Sequence, residues 1–316
     1  GMQYRPGIYS YNPVDGSYNE GLAASAPVHE QFRAPDRYKT YVEAALRYKT
    51  NFAKDHNISA MTSASMQSIS APVNAEYNYV PHIYQNLVGR VNYDYQGKYL
   101  LEANIRYDGT SRLRSGNRWG AFPSFSAGWG ASEETFLKNI EWLSNLKVRA
   151  SWGQLGNQNI GNYPYQDLLA TNDYNFNGVL EQGIYKKALN VPDIKWETTS
   201  ATDIGLDFGF FNSRLYGSVD WYEKVTKDIL RQLQVPDHIG LTGPWVNDGE
   251  MENKGWEFVL GHQNRIGEFR YGINANLETY KNKLLKYGAR EIGTGVIKEE
   301  GLPWNTFYLY VFDGIY

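Results

Sequence analysis

The stretch GRVNYDYQGKYLLEANIRYDG, residues 89–109, consists of two runs of alternating side chains joined at Gln96-Gly97. The second run places apolar and aromatic residues at every other position, from Tyr99 to Tyr107, with polar residues between them. Alternation with period two predicts a β-strand with two chemically different faces, and a glycine-containing pair between two such runs predicts a hairpin. Which face lies inside has to come from the rest of the chain.

Composition excludes several classes of protein. The 316 residues are 42% hydrophobic and 15% aromatic, enough for one large β domain or two smaller ones. The mean hydropathy is −0.55, and no run approaches the roughly 18 apolar residues of a spanning helix, which excludes a helical membrane protein. A net charge of −3 with scattered basic residues gives no reason to expect nucleic acid as a partner. The absence of cysteine removes disulfide, zinc-cluster and thiol-nucleophile sites and suits an oxidising periplasm.

Period-two alternation recurs along the chain in candidate strands about ten residues long. We place them at 40–49, 56–66, 83–95, 98–109, 121–131, 145–153, 196–210, 214–225, 250–262 and 268–280, with a last strand beginning near 306. A short helix is expected in SEETFLKNIEW, residues 132–142, with Ser132 as its cap and Glu134 in the first turn. The sequence thus predicts an all-β protein of ten or eleven strands.

Short and long connections alternate along the chain. The short ones are Asn51 to His56, Gln96-Gly97, 211–213 and 265–267; the long ones are 67–82, 110–120, 154–195, 226–249 and 281–305. In an up-and-down sheet consecutive turns lie at opposite ends, so all the short turns lie at one edge and all the long loops at the other. This sorting is typical of outer-membrane barrels, whereas long structureless loops are uncommon in compact soluble domains.

The strand faces agree with the loops. Strand 196–210 places Ile204, Leu206 and Phe208 on one side and Asp203 and Asp207 on the other. Many apolar rows end in Tyr, Trp or Phe, which is typical of the aromatic girdles at a membrane interface. A soluble sheet with one solvated face would alternate equally well. The sorting of the loops favours a transmembrane barrel, with the polar face towards the lumen and the apolar face towards outer-membrane lipid.

Several longer motifs resemble one family. They are NLVGRVNYDYQGKYLLEANIRYDGTSRLRSGNRWGAFPSFSAGWGASEETFL, LKVRASWGQLGNQNIGNYPY, WETTSATDIGLDFGFFNSRLYGSVDWYEKVTKDIL and MENKGWEFVL, in this order. The chain resembles the SusC/RagA-type TonB-dependent outer-membrane transporters over about residues 40–316. The resemblance implies an antiparallel up-and-down transmembrane β-barrel that imports glycan oligosaccharides or peptides. It also implies a SusD-like surface lipoprotein as a partner and a TonB complex that acts through a plug domain. It implies neither a cofactor nor enzymatic activity.

Barrels of this type have 22 strands, so the chain is expected to be a fragment that supplies about half of them. We expect residues 1–39 to form an extracellular loop or irregular segment and residues 40–316 to form part of the barrel with long extracellular loops. The plug domain and the terminal strands are expected to lie outside this chain.

Candidate ligand contacts lie in the long loops. In DGTSRLRSGNRWGAFPS, residues 108–124, arginine and tryptophan side chains suit clamping or stacking on a sugar or peptide. The alternative is that the Asp and Arg residues pair with one another and that Gly and Pro shape the loop. Two further tryptophans follow or adjoin Pro in other long loops. The candidate ligand-binding residues are Arg112, Arg118, Trp119, Trp245 and Trp304.

The stretch DYNFNGVLE, residues 173–181, resembles the start of a calcium-binding loop. Ile184 occupies the position where such a loop needs a bidentate acidic ligand. A plain surface loop is therefore favoured. The five His residues have no metal spacing, and no catalytic arrangement can be argued from residue order. We therefore expect no metal, no cofactor and no catalysis. The alternative function is a soluble all-β carbohydrate-binding or surface adhesion module that uses loop aromatics.

Overall fold

The computed structural model describes residues 2–3, 8–11, 18–22, 28–29, 37–72, 79–166, 169–186, 188–311 and 313–314. The chain divides into two compact units, Gly1–Tyr38 with Ser70–Pro81 and Lys39–Ile69 with His82–Tyr316. In the first unit, Met2–Gln3 pairs with Val28–His29 and Ile8–Tyr11 pairs with Tyr18–Leu22, both antiparallel. Most of the predicted segment 1–39 lies outside the described residues, and its boundary stays a prediction.

Ten long strands form one up-and-down sheet in which the order in space equals the order in sequence. They are β1 (Tyr38–Phe52), β2 (His56–Pro72), β3 (Tyr79–Tyr95), β4 (Tyr99–Thr110), β5 (Trp119–Gly130), β6 (Leu143–Asn157), β7 (Glu197–Phe210), β8 (Leu215–Lys227), β9 (Glu250–Ile266) and β10 (Phe269–Lys286). Over the described residues the sheet is open, with β1 and β10 as its edges. The prediction of an all-β up-and-down sheet with ten main strands is confirmed.

The strands are longer than the sequence predicted. β9 has 17 residues and β10 has 18, where the shorter runs 250–262 and 268–280 were predicted. The extra residues lie beyond the apolar stretch of each strand, where hydrophobic alternation no longer marks them. Pairing continues there because backbone N–H and C=O groups still need partners.

The short turns use backbone conformations that reverse the chain within a few residues. Gln96 and Gly97 have φ values of 54° and 68°, as a tight hairpin turn with two left-handed residues requires. The turn at Phe211 to Ser213 also has positive φ, with 57° at Asn212, and Gly267 has 62°. The predicted short connections are therefore confirmed at one edge of the sheet.

The cross-strand register separates an apolar face from a polar face. One continuous row on the apolar face crosses β3 to β10: Tyr95, Tyr99, Trp129, Val148, Leu206, Val219, Phe258 and Leu277. A row on the opposite face crosses the same strands: Asn92, Glu102, Ser126, Ser151, Asp203, Tyr222, Gly255 and Tyr280. Large apolar side chains such as Leu101 (53% exposed) and Ile105 (48%) remain uncovered on the apolar face. Such a face needs an apolar medium or another protein surface against it.

The predicted helix at 132–142 is wrong. Only Ala131–Glu133 is helical, as a 3-10 turn without a side-chain cap, and irregular turns follow it. Instead, the Glu134 carboxylate accepts hydrogen bonds from the Tyr99 hydroxyl (2.7 Å), the Trp129 indole N–H (3.3 Å) and the Lys98 ammonium (3.3 Å). These bonds tie the connection to the short-turn edge of the sheet.

Glutamine at position 134 is expected to remove part of the acid sensitivity of folding. The hydrogen bond from Tyr99, then those from Trp129 and Lys98, lower the pKa of Glu134 in the folded state. A carboxyl with a lowered folded pKa adds stability above its unfolded pKa, and this is lost as the pH falls through the folded value. The wild-type protein should therefore be more stable than Glu134→Gln near pH 7, and this difference should shrink as the pH falls through the lowered pKa of Glu134. Thermal unfolding against pH measures this.

The matched control is Glu133→Gln, because Glu133 meets only the exposed ammonium of Lys138, at 3.8 Å. An equal pH response of the two variants would contradict the assignment to Glu134.

Two other sequence predictions need correction. The strand expected near 306 is only Thr306–Phe307, which pairs with Val296–Lys298 and not with the main sheet. The long connection 154–195 contains an antiparallel hairpin, Leu169–Phe176 with Val179–Lys186. Its apolar and polar residues are mixed on both faces, so it lacks the clean alternation that identified the main strands. Residues 73–78, within the predicted connection 67–82, lie outside the described residues.

Among the described residues, the helical segments are too short and too polar to cross a membrane.

Candidate functional site

The polar face carries hydrogen bonds from strand to strand. Arg90 donates to the Asn104 side-chain oxygen at 2.6 Å, and the Asn104 amide donates to Glu102 at 2.7 Å and to Ser124 at 3.3 Å. On the same face, nearer the β10 edge of the sheet, the Tyr222 hydroxyl (β8) donates to Glu278 (β10) at 3.0 Å. These bonds satisfy polar groups that an apolar environment would penalise, so this face is built to line a watery space.

The strongest charge cluster of this face centres on Arg149 in β6. Its guanidinium pairs with Asp203 at 3.1 Å, with Asp207 at 3.2 Å and with Asp220, which lies two strands away on β8. The intervening residue on β7 is Gly205, the direct partner of both Arg149 and Asp220. The missing side chain at Gly205 leaves the space across which Arg149 reaches Asp220.

Alanine at position 205 is expected to destabilise this wall. A Cβ atom there would lie 2.3 Å from the Asp220 carboxylate oxygen and 2.5 Å from the Arg149 Cζ atom, closer than real Cβ contacts. We expect the ion pair to be displaced at a cost of about 2 kcal/mol, measured by heat-induced unfolding of the full-length protein in detergent. Gly272→Ala is the control, since a Cβ atom at Gly272 would meet nothing within 4 Å. An equal effect of both variants would contradict the steric explanation.

The long-loop edge is held by a small hydrophobic cluster, here called the mouth core. It consists of Leu113, Phe122, Ile160, Ile194 and Trp196, all buried, with Leu230 and Trp245 packed against it. The Trp196 indole N–H donates to the Arg118 carbonyl at 3.1 Å, which joins segments 78 residues apart in sequence. Each fully buried side chain of this kind contributes roughly 1.5–3 kcal/mol. The loops at this edge are therefore packed against one another.

The structure places the candidate residues of loop 108–124 in different surroundings. The Arg112 side chain donates to Asn162 at 3.1 Å, and the Arg118 side chain donates to the Leu113 carbonyl at 3.1 Å. Asp108 pairs with Arg106 at 2.7 Å, and not with the loop arginines. Arg112 and Arg118 therefore make contacts within the long-loop edge, and the pairing of Asp108 with loop arginines that the structural alternative expected is not found among the described residues.

The three candidate tryptophans do not meet. Trp119 stacks on Tyr107 with ring centroids 4.9 Å apart, at a position whose register belongs to the apolar face. This placement favours an interfacial girdle. Trp245 packs against the mouth core, whereas Trp304 borders a separate cavity of about 370 Å³ on the polar face. Ligand contact by the five candidate residues stays a prediction.

A second cavity at the long-loop edge, of about 400 Å³, is here called the mouth cavity. It lies on the polar face between the loop-side ends of β1 to β4 and the end of β6. Its lining includes Gln67, Asn86 and Gln158, three amide residues that sequence reasoning missed. Alternation assigns Asn86 to the polar face, but Gln67 was expected in the connection 67–82, and only the folded sheet brings the two to one cavity.

Sequence reasoning also missed a buried cluster beyond β10. Tyr287 is 2% exposed, and the guanidinium of Arg231 lies 4.3 Å from its ring centroid. Burial, and then the hydrogen bond that its hydroxyl donates to Glu291, raise the pKa of Tyr287 to about 12. The same hydrogen bond lowers the pKa of Glu291. Arg231 also pairs with Asp248, so this cluster joins loops 226–249 and 281–305.

The comparisons with known proteins agree with this geometry. A family model described as "TonB dependent receptor-like, beta-barrel" matches residues 3–306. The chain belongs to this family. TonB-dependent receptor P26 of Formosa agariphila is 32% identical over 284 residues, which cover 81% of this chain and 29% of that protein. TonB-dependent receptor SusC of Bacteroides thetaiotaomicron is 37% identical over 205 residues, covering 63% of this chain and 20% of that protein.

Solved structures show the same fold. The chain matches the structure of the RagAB peptide importer in its closed-closed state with a TM-score of 0.74 and 24% identity, over 86% of this chain and 34% of that one. The chain spans less than a third of the length of the receptors P26 and SusC. It is thus similar to a part of each of these proteins.

Family membership assigns the two faces of this receptor sheet. TonB-dependent receptors are outer-membrane proteins and transporters rather than enzymes, so the expected location and the absence of enzymatic activity are confirmed. In a transmembrane barrel the outward face meets lipid and the inward face meets water. The row from Tyr95 to Leu277 is therefore the lipid side of the receptor, and the Arg149 cluster and mouth cavity lie on the lumen side.

No group of three or more His, Asp or Glu side chains suited to a metal ion occurs among the residues that the structure describes. In the stretch that imitates a calcium loop, the Gly178 N–H donates to the Asn175 side chain at 2.8 Å, within the turn of hairpin 169–186.

Proposed function

We propose that the chain forms part of the barrel wall and extracellular mouth of a SusC-like transporter that imports glycan oligosaccharides or peptides across the outer membrane. The observation that carries the proposal is the pairing of a continuous apolar face with a hydrogen-bonded polar face, with all long loops at one edge. Such a wall suits the binding and passage of a hydrophilic solute.

We also propose a SusD-like surface lipoprotein as partner, docking at the long-loop edge, and a TonB complex acting through a plug domain. Support comes from the similarity to SusC and from the packed loops around the mouth core, which offer a preformed surface. Ligand contact at Arg112, Arg118, Trp119, Trp245 and Trp304 remains part of the proposal, with Trp304 the best placed because it borders a lumenal cavity.

Deletion of the gene that encodes the full-length receptor tests the transport proposal. The deletion strain should lose growth on one class of oligosaccharide or peptide, and an uncoupler of the inner-membrane proton gradient should abolish uptake in the parent strain. Affinity purification of the receptor should recover a lipoprotein encoded beside it. Unchanged growth on every oligosaccharide and peptide tested would contradict the proposal.

A further inference from the structure

The mouth cavity contains hydrogen-bonding groups that the described residues leave unused. Gln158 is 6% exposed, and its side-chain oxygen accepts from the Thr110 hydroxyl at 3.0 Å. Among the described residues, no hydrogen bond is found to the Gln158 amide nitrogen or to the half-buried side chains of Gln67 and Asn86. Each amide offers both donors and an acceptor. Three such groups facing one cavity can match the hydroxyls of a ligand.

The described side chains that line the cavity carry no net charge. Its only described ionic side chains are Arg106 and Asp108, and they pair with one another at 2.7 Å. A ligand with a free carboxylate, sulfate or ammonium group would have to break this pair or stay without a counter-ion. Because an uncompensated charge is costly at a partly buried site, the cavity favours a neutral ligand.

Aromatic rings supply the rest of the lining. The single N–H of Trp196 is already used by the Arg118 carbonyl, and the Tyr84 ring is held edge-on to His82 with ring centroids 4.2 Å apart. Tyr41 lies on the neighbouring wall and donates its hydroxyl to Glu43 at 2.7 Å. Aliphatic side chains are absent from the described lining. The cavity thus has no slot for a Leu or Val side chain of a peptide.

We propose that the mouth cavity binds one neutral sugar unit of an oligosaccharide as it enters the lumen. This inference rests on the proposed transport function and narrows its substrate to uncharged glycans. Sugar rings present alternating hydroxyl groups and C–H patches, which match amides and aromatic rings respectively. A site built to hydrogen-bond hydroxyls also rejects a solute that leaves its amides unpaired.

The test uses full-length receptor purified together with its lipoprotein. Its binding of three neutral oligosaccharides is measured by titration with maltohexaose, laminarihexaose and xylohexaose. Parallel titrations use a charged oligosaccharide, oligogalacturonate, and a tripeptide mixture. Gln67→Ala and Asn86→Ala should each weaken binding of a neutral oligosaccharide by about tenfold, as expected for the loss of well-made hydrogen bonds. Asn276→Ala is the matched control. It removes an exposed amide on β10, outside the cavity, and should leave the affinity within about twofold.

Selective weakening by the two cavity variants, together with no competition by oligogalacturonate, would support the inference. Neutral binding that both variants leave unchanged, binding of only peptides or oligogalacturonate, or binding of no probe would overturn it. Growth of the deletion strain distinguishes failure of the sugar-site proposal from failure of the transport proposal. Loss of growth on peptides would overturn only the sugar site, whereas unchanged growth on all solutes would overturn transport as well.

Discussion

Lysine in place of Ile105 is expected to block assembly of the receptor in the outer membrane. Ile105 lies on the lipid face of β4, 48% exposed in this sheet, between Gly89 and Pro123 on the neighbouring strands. A lipid-facing lysine in a β-barrel costs roughly 2–4 kcal/mol at the bilayer midplane and less towards the interfaces, and Ile105 lies between Tyr99 and Tyr107 on the same face of β4. The amount of the full-length variant in the membrane fraction should therefore decrease strongly. The variant should also lose the gel-mobility shift that marks a folded barrel.

The matched control is Asn104→Lys, one residue earlier on the opposite face. Its ammonium replaces an amide that donates to Glu102 at 2.7 Å, and it projects into the watery lumen. We expect near-normal assembly. Equal tolerance of both lysines, or greater damage at Asn104, would contradict the assignment of the two faces.

Leucine in place of Arg149 is the second large-effect prediction. The change leaves Asp203, Asp207 and Asp220 without their shared cation, and Asp220 is only 7% exposed. Removing one partner of a buried ion pair costs about 3–5 kcal/mol, and the partial exposure of Arg149 places the expected loss near the lower end. The measurement is the temperature of heat-induced unfolding of the full-length receptor in detergent.

Arg90→Leu serves as the comparison, since Arg90 is an exposed lumenal arginine whose pair with Glu102 spans 3.9 Å. Exposed pairs contribute about 0–1 kcal/mol, so its unfolding temperature should stay close to that of the wild type. If the two variants lost equal stability, Arg149 would have no special role in the wall.

The main sheet could be predicted because its evidence is local. The alternation between Tyr99 and Tyr107 and the turn at Gln96-Gly97 depend on neighbours in sequence, and both are found in the structure. The helix expected at 132–142 failed because its cap signal was outweighed by contacts from elsewhere. Lys98 and Tyr99, more than 30 residues earlier, donate hydrogen bonds to the Glu134 carboxylate.

The candidate site could be predicted only in part. Trp304 does border a lumenal cavity, but Trp119 belongs to the register of the apolar face. The amides of the mouth cavity come from β2, β3 and the residue after β6, and their convergence depends on strand register over some 90 residues. Likewise, the ion pair between Arg149 and Asp220 forms across Gly205 only when three strands pair in a defined register. Neither arrangement leaves a local pattern in the sequence.

The central claim is that one face of this sheet meets lipid and the other meets water, and site-directed spin labelling tests it most directly. This chain has no cysteine, so single cysteines at 100 to 107 of the full-length receptor in lipid bilayers introduce unique labelling sites within it. Labels at 101, 103, 105 and 107 should collide mainly with dissolved oxygen, and those at 100, 102, 104 and 106 with a water-soluble nickel complex. An accessibility profile without this period of two, or with its phase reversed, would contradict the account.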